Sequence, residues 1–263
     1  MRQSKTKMRL WMCIGMLVMG LSIFGCDHDD DDDDLGLPES NTLSGTLVFT
    51  QGDTQAPVGV FMMQSRNGNN VTGRMYSVFG AYPQINGQLT DSGTATMTLA
   101  LEGDCPGTMN LTATLNNTVT LSGSGTNCNG PFSLNGNLGP VTCTSVTEQE
   151  PNDSHNQFQN FGAMTPGRCL TLAGNLNAEE QDTFGVRVTT PQTIMAILEY
   201  DDPAAGFAVA LAGDGMTIIA CQSAASPKIC SAMMTGDAAT RFLTVSNALR
   251  ASGSYTLRVV SIP

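Results

Sequence analysis

The chain has 263 residues, and its 12 basic and 23 acidic side chains give a formal net charge of −11. This balance excludes nucleic-acid binding, which needs a positive field, and disfavours attraction to anionic lipid. Charged residues make up only 13% of the chain, and short alternating apolar runs between turn residues predict an all-β protein.

The first segment is a basic stretch followed by an apolar run. Residues 10–25 are apolar and follow four basic residues, Arg2, Lys5, Lys7 and Arg9. This order is typical of a secretory signal peptide, and the run is shorter than the roughly 20 residues that span a bilayer as a helix. We therefore expect residues 1–25 to be a signal peptide, with a retained membrane helix as the alternative.

The run ends in Ile23-Phe24-Gly25-Cys26, and this sequence resembles the lipobox of bacterial lipoproteins. The resemblance implies that Cys26 becomes the first residue of the mature protein and carries acyl chains such as palmitate. One chain anchors a protein only marginally, so stable attachment needs more than one. The expected location is the bacterial cell envelope, on a membrane facing the periplasm or the cell exterior.

An acidic run follows the cysteine. Residues 27–34 contain seven aspartates and one histidine. Such a run repels itself and buries no apolar surface, so it is predicted to be disordered. Residues 26–41 are therefore interpreted as a lipidated cysteine and a tether that reaches on the order of 50 Å when extended.

Residues 42–142 are predicted to form an antiparallel meander of about eight strands, closed as a barrel or packed as a sandwich. An aliphatic–polar–Gly–polar–aliphatic motif recurs, for example in residues 71–75 and 85–89. Glycine inside a strand suggests a bulge or strong coiling. Longer loops are expected at residues 52–57 and 80–83. An eight-stranded barrel is wide enough either to be filled by side chains or to hold one small apolar ligand.

Six cysteines remain in the predicted mature chain besides Cys26. An even number in an exported protein predicts disulfides, and six cysteines allow 15 pairings. Proximity in sequence favours three of these pairings: Cys105–Cys128, Cys143–Cys169 and Cys221–Cys230.

The last segment, residues 146–263, contains four motifs in a fixed order: Glu148-Gln149-Glu150-Pro151-Asn152-Asp153-Ser154, Gly174-Asn175-Leu176, Asp182-Thr183-Phe184, and the closing Ser252-Gly253-Ser254-Tyr255. In these motifs and their order the segment resembles the bacterial pre-peptidase C-terminal domain. It implies a jelly-roll-like β-sandwich, which family members carry as an appendage to secreted peptidases and other exported proteins.

The opening of this segment is a candidate calcium site. Calcium binds six to eight hard oxygen ligands, and four oxygen-bearing side chains fall within six residues: Glu148, Glu150, Asn152 and Asp153. Glu179 and Asp182 are placed to complete the shell, and the resemblance implies acids at the same places in calcium-binding members. A solvated acidic linker is the alternative.

Catalytic motifs are missing from the sequence. Its two histidines are His28 in the predicted tether and His155, and it contains neither HExxH nor GxSxG. We expect a lipid-anchored, non-catalytic envelope protein that contacts a protein or polysaccharide ligand through its second domain. Tyr200 and Phe207 are candidates for an exposed aromatic contact. The alternatives are a carrier with an apolar ligand inside the barrel, and a structural spacer.

Overall fold

The computed structural model describes residues 40–262 except 78–79, 91–92, 102–105, 116–117, 179, 203–204, 213–217, 221–225 and 248–251. The predicted signal peptide, the predicted acylation site at Cys26 and the predicted tether up to residue 39 lie outside the described residues. Among the residues that it describes, none belongs to a helix long and apolar enough to cross a membrane.

The first half of the described chain forms a closed barrel in which each strand pairs antiparallel with the next, and the first pairs with the last. Its strands are β1 (Ser40–Gln51), β2 (Thr54–Asn67), β3 (Asn70–Ser77), β4 (Gly80–Leu89), β5 (Thr94–Leu101), β6 (Gly107–Leu115), β7 (Val119–Asn127) and β8 (Gly130–Pro140). Alternate side chains of all eight strands point inward and form one buried cluster. Four buried methionines help to fill it: Met62, Met75, Met97 and Met109.

The recurrent glycines allow neighbouring barrel strands to approach closely. A Cβ added to Gly73 would lie 2.4 Å from the carbonyl oxygen of Met63, and one added to Gly87 would lie 2.4 Å from that of Thr96. Real side chains do not tolerate such contacts with backbone, so only glycine fits there. The pairing of β3 with β4 also shifts register after Gly73. The glycines of the repeated motif are thus required by the close approach of strands in a small, tightly coiled barrel.

The outer surface of β5–β8 carries a regular array of uncharged polar side chains, which we call the hydroxyl–amide face. Three rows cross the four strands, and every position in them is threonine, serine or asparagine. The rows are Thr94, Thr114, Thr120 and Asn137; Thr96, Thr112, Ser122 and Asn135; and Thr98, Asn110, Ser124 and Ser133. All twelve side chains are exposed or half-buried.

The second half forms two five-stranded sheets. One has the order β10-β12-β17-β14-β15, built from β10 (Gln159–Met164), β12 (Gln181–Val188), β17 (Thr240–Asn247), β14 (Phe207–Ala212) and β15 (Ile218–Ala220). The other has the order β16-β13-β18-β11-β9, built from β16 (Lys228–Met234), β13 (Gln192–Glu199), β18 (Gly253–Ile262), β11 (Arg168–Leu176) and β9 (Thr142–Thr147). Their facing apolar side chains form a second buried cluster. The predicted all-β class is confirmed, and the first domain, predicted as a barrel or a sandwich, is a closed barrel.

The barrel packs on the outer face of the sheet that contains β13 and β18. Phe61 and Tyr76 of the barrel share a buried cluster with Met195, Ile197 and other side chains of that sheet. Apolar burial of this kind is the main force that holds two packed elements together. The sheet is therefore covered on both faces, by the sandwich core and by the barrel.

A polar cluster completes this joint around Glu199. The Tyr76 hydroxyl donates to Glu199 Oε1 at 2.6 Å, and the Arg74 guanidinium lies 3.2 Å from the same oxygen. Arg258 donates to the other carboxylate oxygen. Burial raises the pKa of Glu199, but the hydrogen bonds and the two positive charges outweigh it and leave the pKa below its usual value.

A disulfide between Cys143 and Cys169 confirms one predicted pairing. The two residues are register partners on the parallel strands β9 and β11, and Cys169 is fully buried at the joint with the barrel. Cys128 and Cys230 are also disulfide-bonded. Their predicted partners, Cys105 and Cys221, lie outside the described residues.

Candidate metal centre

Three carboxylates meet where β9 leads into the rest of the sandwich. Glu148 and Glu150 lie just beyond the end of β9, and Asp182 lies at the start of β12. Each offers a carboxylate oxygen, and these oxygens all lie within 4.8 Å of one another. Two ligands on opposite sides of a calcium ion are about 4.8 Å apart at the usual bond lengths, so this spacing fits such an ion.

Tyr255 of β18 holds two of these carboxylates in place. Its hydroxyl lies 2.5 Å from Asp182 Oδ2 and 2.9 Å from Glu148 Oε1. One hydroxyl proton serves one acceptor at a time, so the two oxygens compete for it. The other oxygen of Glu148 accepts a hydrogen bond from the Asn175 backbone N–H at 3.1 Å. Glu148 is therefore fixed at both oxygens by neighbouring strands of one sheet.

The side chain of Asn152 contacts two of the three carboxylates, and the residue is fully buried. Its terminal amide atom lies 3.0 Å from both Asp182 Oδ1 and Glu150 Oε2. The amide nitrogen in that position would donate to both carboxylates, whereas the amide oxygen would add a fourth ligand to a cation. The backbone fixes the residue, because its carbonyl accepts a hydrogen bond from Thr183 N at 2.7 Å.

The site has a buried floor and an open side. Asp182 and Tyr255 are at most 3% exposed, whereas Glu148 is half-buried and Glu150 is exposed. Burial, followed by the negative charges of Glu148 and Glu150, raises the pKa of Asp182 to about 7. Burial also raises the pKa of Glu150, with further contributions from Glu148, Asp153 and Glu180. A cation at the open side would offset these charges.

Not every predicted ligand joins this cluster. Asp153 is exposed, and its carboxylate is not part of the group. Its backbone carbonyl instead accepts a hydrogen bond from the Gln181 side chain at 2.8 Å. Glu179 lies outside the described residues. The structure thus brings together Glu148, Glu150, Asn152 and Asp182 from the six predicted positions.

Several residues that shape the site were not predicted as part of it. Tyr255 and Gly174 face each other on β18 and β11, and Gly174 leaves room for the Tyr255 ring. Gln159 accepts from the Gln149 backbone and donates to the Thr147 carbonyl, which ties the acidic segment to β10. The sequence feature that could have indicated these partners is the apolar alternation of β12. It places Asp182 at a core-facing position, two residues before Phe184.

The predicted aromatic contact at Tyr200 and Phe207 is wrong. Both side chains belong to the buried cluster of the sandwich, and their exposed fractions are 7% and 0%. One partly exposed aromatic group lies elsewhere, where His155 stacks on Phe242 at 4.5 Å and Phe158 meets the same ring edge-on at 5.2 Å.

No protein-family model matches the sequence, and no curated protein matches it either. Among solved structures, the pre-peptidase C-terminal domain of collagenase from Bacillus anthracis is similar to 43% of this chain over 99% of its own length, with 17% identity and a TM-score of 0.33. The periplasmic inhibitor of g-type lysozyme from Salmonella Typhimurium covers 39% of this chain and 98% of its own, with 10% identity and a TM-score of 0.29. Its counterpart from Aeromonas hydrophila covers 46% and 98%, with 12% identity and a TM-score of 0.27. These similarities assign no residue role to this chain.

Proposed function

We propose that this chain is a non-catalytic, lipid-anchored protein of the bacterial cell envelope whose sandwich binds calcium and contacts a protein or polysaccharide ligand. The observation that supports the metal site is the convergence of the Glu148, Glu150 and Asp182 carboxylates, whose oxygens all lie within 4.8 Å of one another. Like charges held this close are unfavourable unless protons or a cation separate them. Hard oxygen donors of this kind suit calcium.

Calcium at this point would stiffen the path from the barrel to the sandwich. The ligands Glu148 and Glu150 follow β9, which begins two residues after the last barrel strand ends. Asp182 belongs to the opposite sheet of the sandwich. One ion would therefore fasten the segment after β9 to both sheets of the sandwich.

The proposal that the protein is non-catalytic rests on the contacts of His155, on the grouping of the acids and on the packing of the barrel interior. The His155 ring stacks on Phe242 at 4.5 Å, and the acids Glu148, Glu150 and Asp182 form the metal cluster. The interior of the barrel is occupied by one cluster of buried apolar side chains. That packing supports a structural role for the barrel core and counts against the carrier alternative.

Calcium titration tests the proposed site. Residues 37–263 form one compact unit and suit calorimetry. We expect one ion to bind and to raise Tm, because a ligand specific to the folded state stabilises it by about 2.7 kcal/mol at 100 times Kd. Asp182→Asn should weaken binding at least about tenfold by removing a charged ligand. Without calcium this variant should melt at the same or a higher temperature, since it relieves repulsion among the carboxylates.

The matched control is Asp201→Asn, which removes an exposed acid outside the cluster. It should retain the wild-type heat of binding and the rise in Tm. No heat at millimolar calcium together with an unchanged Tm would contradict the proposed metal site, as would an equal response of wild type and Asp182→Asn.

The anchor is tested on the full chain produced in a bacterium and labelled with a palmitate analogue. We expect the label on the wild-type protein and its complete loss in Cys26→Ser, because lipid attachment at this position needs the cysteine thiol. Cys13→Ser, within the predicted signal peptide, is the control and should stay labelled. Persistent labelling of Cys26→Ser, or no label on the wild type, would contradict lipid attachment at Cys26.

A further inference from the structure

The hydroxyl–amide face differs in charge from the rest of this acidic protein. Strands β4–β8 contain no aspartate, glutamate, lysine or arginine, although the chain has 23 acidic and 12 basic residues. Protein surfaces usually carry about a quarter to a third charged residues. Charged side chains favour solubility, so the need for solubility does not explain five consecutive strands without charge. The surface of these strands therefore needs a different physical explanation.

The asparagines of this face are oriented by their neighbours. Asn110, Asn135 and Asn137 each accept a hydrogen bond at Oδ1 from a hydroxyl on the adjacent strand, at 3.1, 2.9 and 2.8 Å. The donors are Thr98, Ser122 and Thr120 in the same order. Because Oδ1 accepts this hydrogen bond, the Nδ2 donors of each amide point away from the donating hydroxyl. The hydroxyl oxygens beside them still have lone pairs for a partner.

We propose that the hydroxyl–amide face binds a neutral polysaccharide. Sugars present closely spaced hydroxyl groups that both donate and accept, which matches a face that combines amide donors with hydroxyl groups. Neighbouring strands are about 4.8 Å apart, and side chains on one face recur about every 6.7 Å along a strand. Three rows over four strands therefore offer repeated contacts to an extended chain of sugars. The face belongs to the barrel, so this binding is independent of the calcium site.

The chemistry of the face disfavours other partners. Nucleic acids and anionic polysaccharides require basic side chains, and β4–β8 have none. The core of a protein–protein interface is rich in apolar and aromatic groups, whereas the twelve positions here are all threonine, serine or asparagine. Hydrogen bonds to sugar replace hydrogen bonds to water, so each contact contributes little net affinity. We expect a Kd on the order of 1 mM, strengthened by repetition along the chain.

The test is affinity electrophoresis of residues 37–263 in native gels that contain dextran, mannan, laminarin or xyloglucan, with alginate as an anionic comparison. We expect at least one neutral polysaccharide to retard the wild-type protein, with or without EDTA. The triple variant Asn110→Ala, Asn135→Ala and Asn137→Ala should lose at least about tenfold in affinity, since three oriented donors are removed. These side chains are exposed, and melting curves will verify that the variant folds.

A matched triple variant on β2, outside the face, replaces the exposed residues Gln55, Ser65 and Asn67 with alanine. It should migrate like the wild type in every gel. The proposal is overturned if no neutral polysaccharide retards the protein, if alginate alone does so, or if the two triple variants lose retardation equally. Because the EDTA gels contain no free calcium, failure here and failure of the calcium site give distinguishable results.

Discussion

Replacing Cys143 and Cys169 together with alanine is expected to lower the free energy of unfolding by about 3.5 kcal/mol. The two cysteines are 26 residues apart, and a cross-link over a loop of that length restricts the unfolded chain by about this amount. The bond also holds β9, an edge strand, to β11 at the joint with the barrel. Denaturant unfolding at equilibrium measures the difference.

The control removes a neighbouring pair that has no covalent bond. Ser145 and Thr171 are register partners two residues along the same strands. Their double replacement with alanine should change stability by less than about 1 kcal/mol, because neither side chain is fully buried. An equal loss in both double variants would show that side-chain packing, and not the cross-link, stabilises β9.

Local features of the barrel could be predicted from the sequence, but its closure could not. Alternating apolar residues and repeated glycines indicated about eight strands, because both are set by neighbours close in sequence. Closure depends on the pairing of β1 with β8, for example Leu47 with Gly136. No short-range pattern encodes contact between residues so far apart, so barrel and sandwich remained equivalent predictions.

The loop predicted at residues 52–57 is only a turn at residues 52–53, and the loop predicted at residues 80–83 was wrong, because both prolines lie within strands. Pro57 lies in β2 opposite Val48, before the pairing of β2 with β3 begins at Val60, so its missing N–H breaks no ladder on that side. Pro83 falls where the pairing of β3 with β4 shifts register. Proline is tolerated in strands at such edges and bulges, and both strands continue through these positions.

The metal cluster was predictable where its residues are close in sequence. Glu148, Glu150 and Asn152 occur within one short segment, and Asp182 was included through a family resemblance. Tyr255 was missed as a contact because its place depends on the register of β11 with β18. The useful rule is physical: an acid at a core-facing position of an otherwise apolar strand needs partners, and here they are a tyrosine hydroxyl and an amide.

Gly174→Ala is expected to damage both the fold and the metal site. A Cβ at this position would lie 2.4 Å from Tyr255 Cζ and 2.6 Å from Glu148 Oε1. The Tyr255 ring is only 3% exposed, so the clash cannot be relieved by turning the ring into solvent. Overpacking of this kind costs about 1–3 kcal/mol. Displacing Glu148 should also weaken calcium binding at least tenfold, as measured by calorimetry beside thermal unfolding.

Gly139→Ala provides the control, because a Cβ there has no heavy atom within 4 Å. It should change stability by no more than about 0.5 kcal/mol and leave the calcium response intact. Unchanged melting and calcium binding in Gly174→Ala would mean that Tyr255 and Glu148 move without cost. A loss of stability with normal calcium affinity would instead separate the packing role of Gly174 from the geometry of the ligands. The first outcome contradicts the close packing described for the site, and the second contradicts only its coupling to the metal.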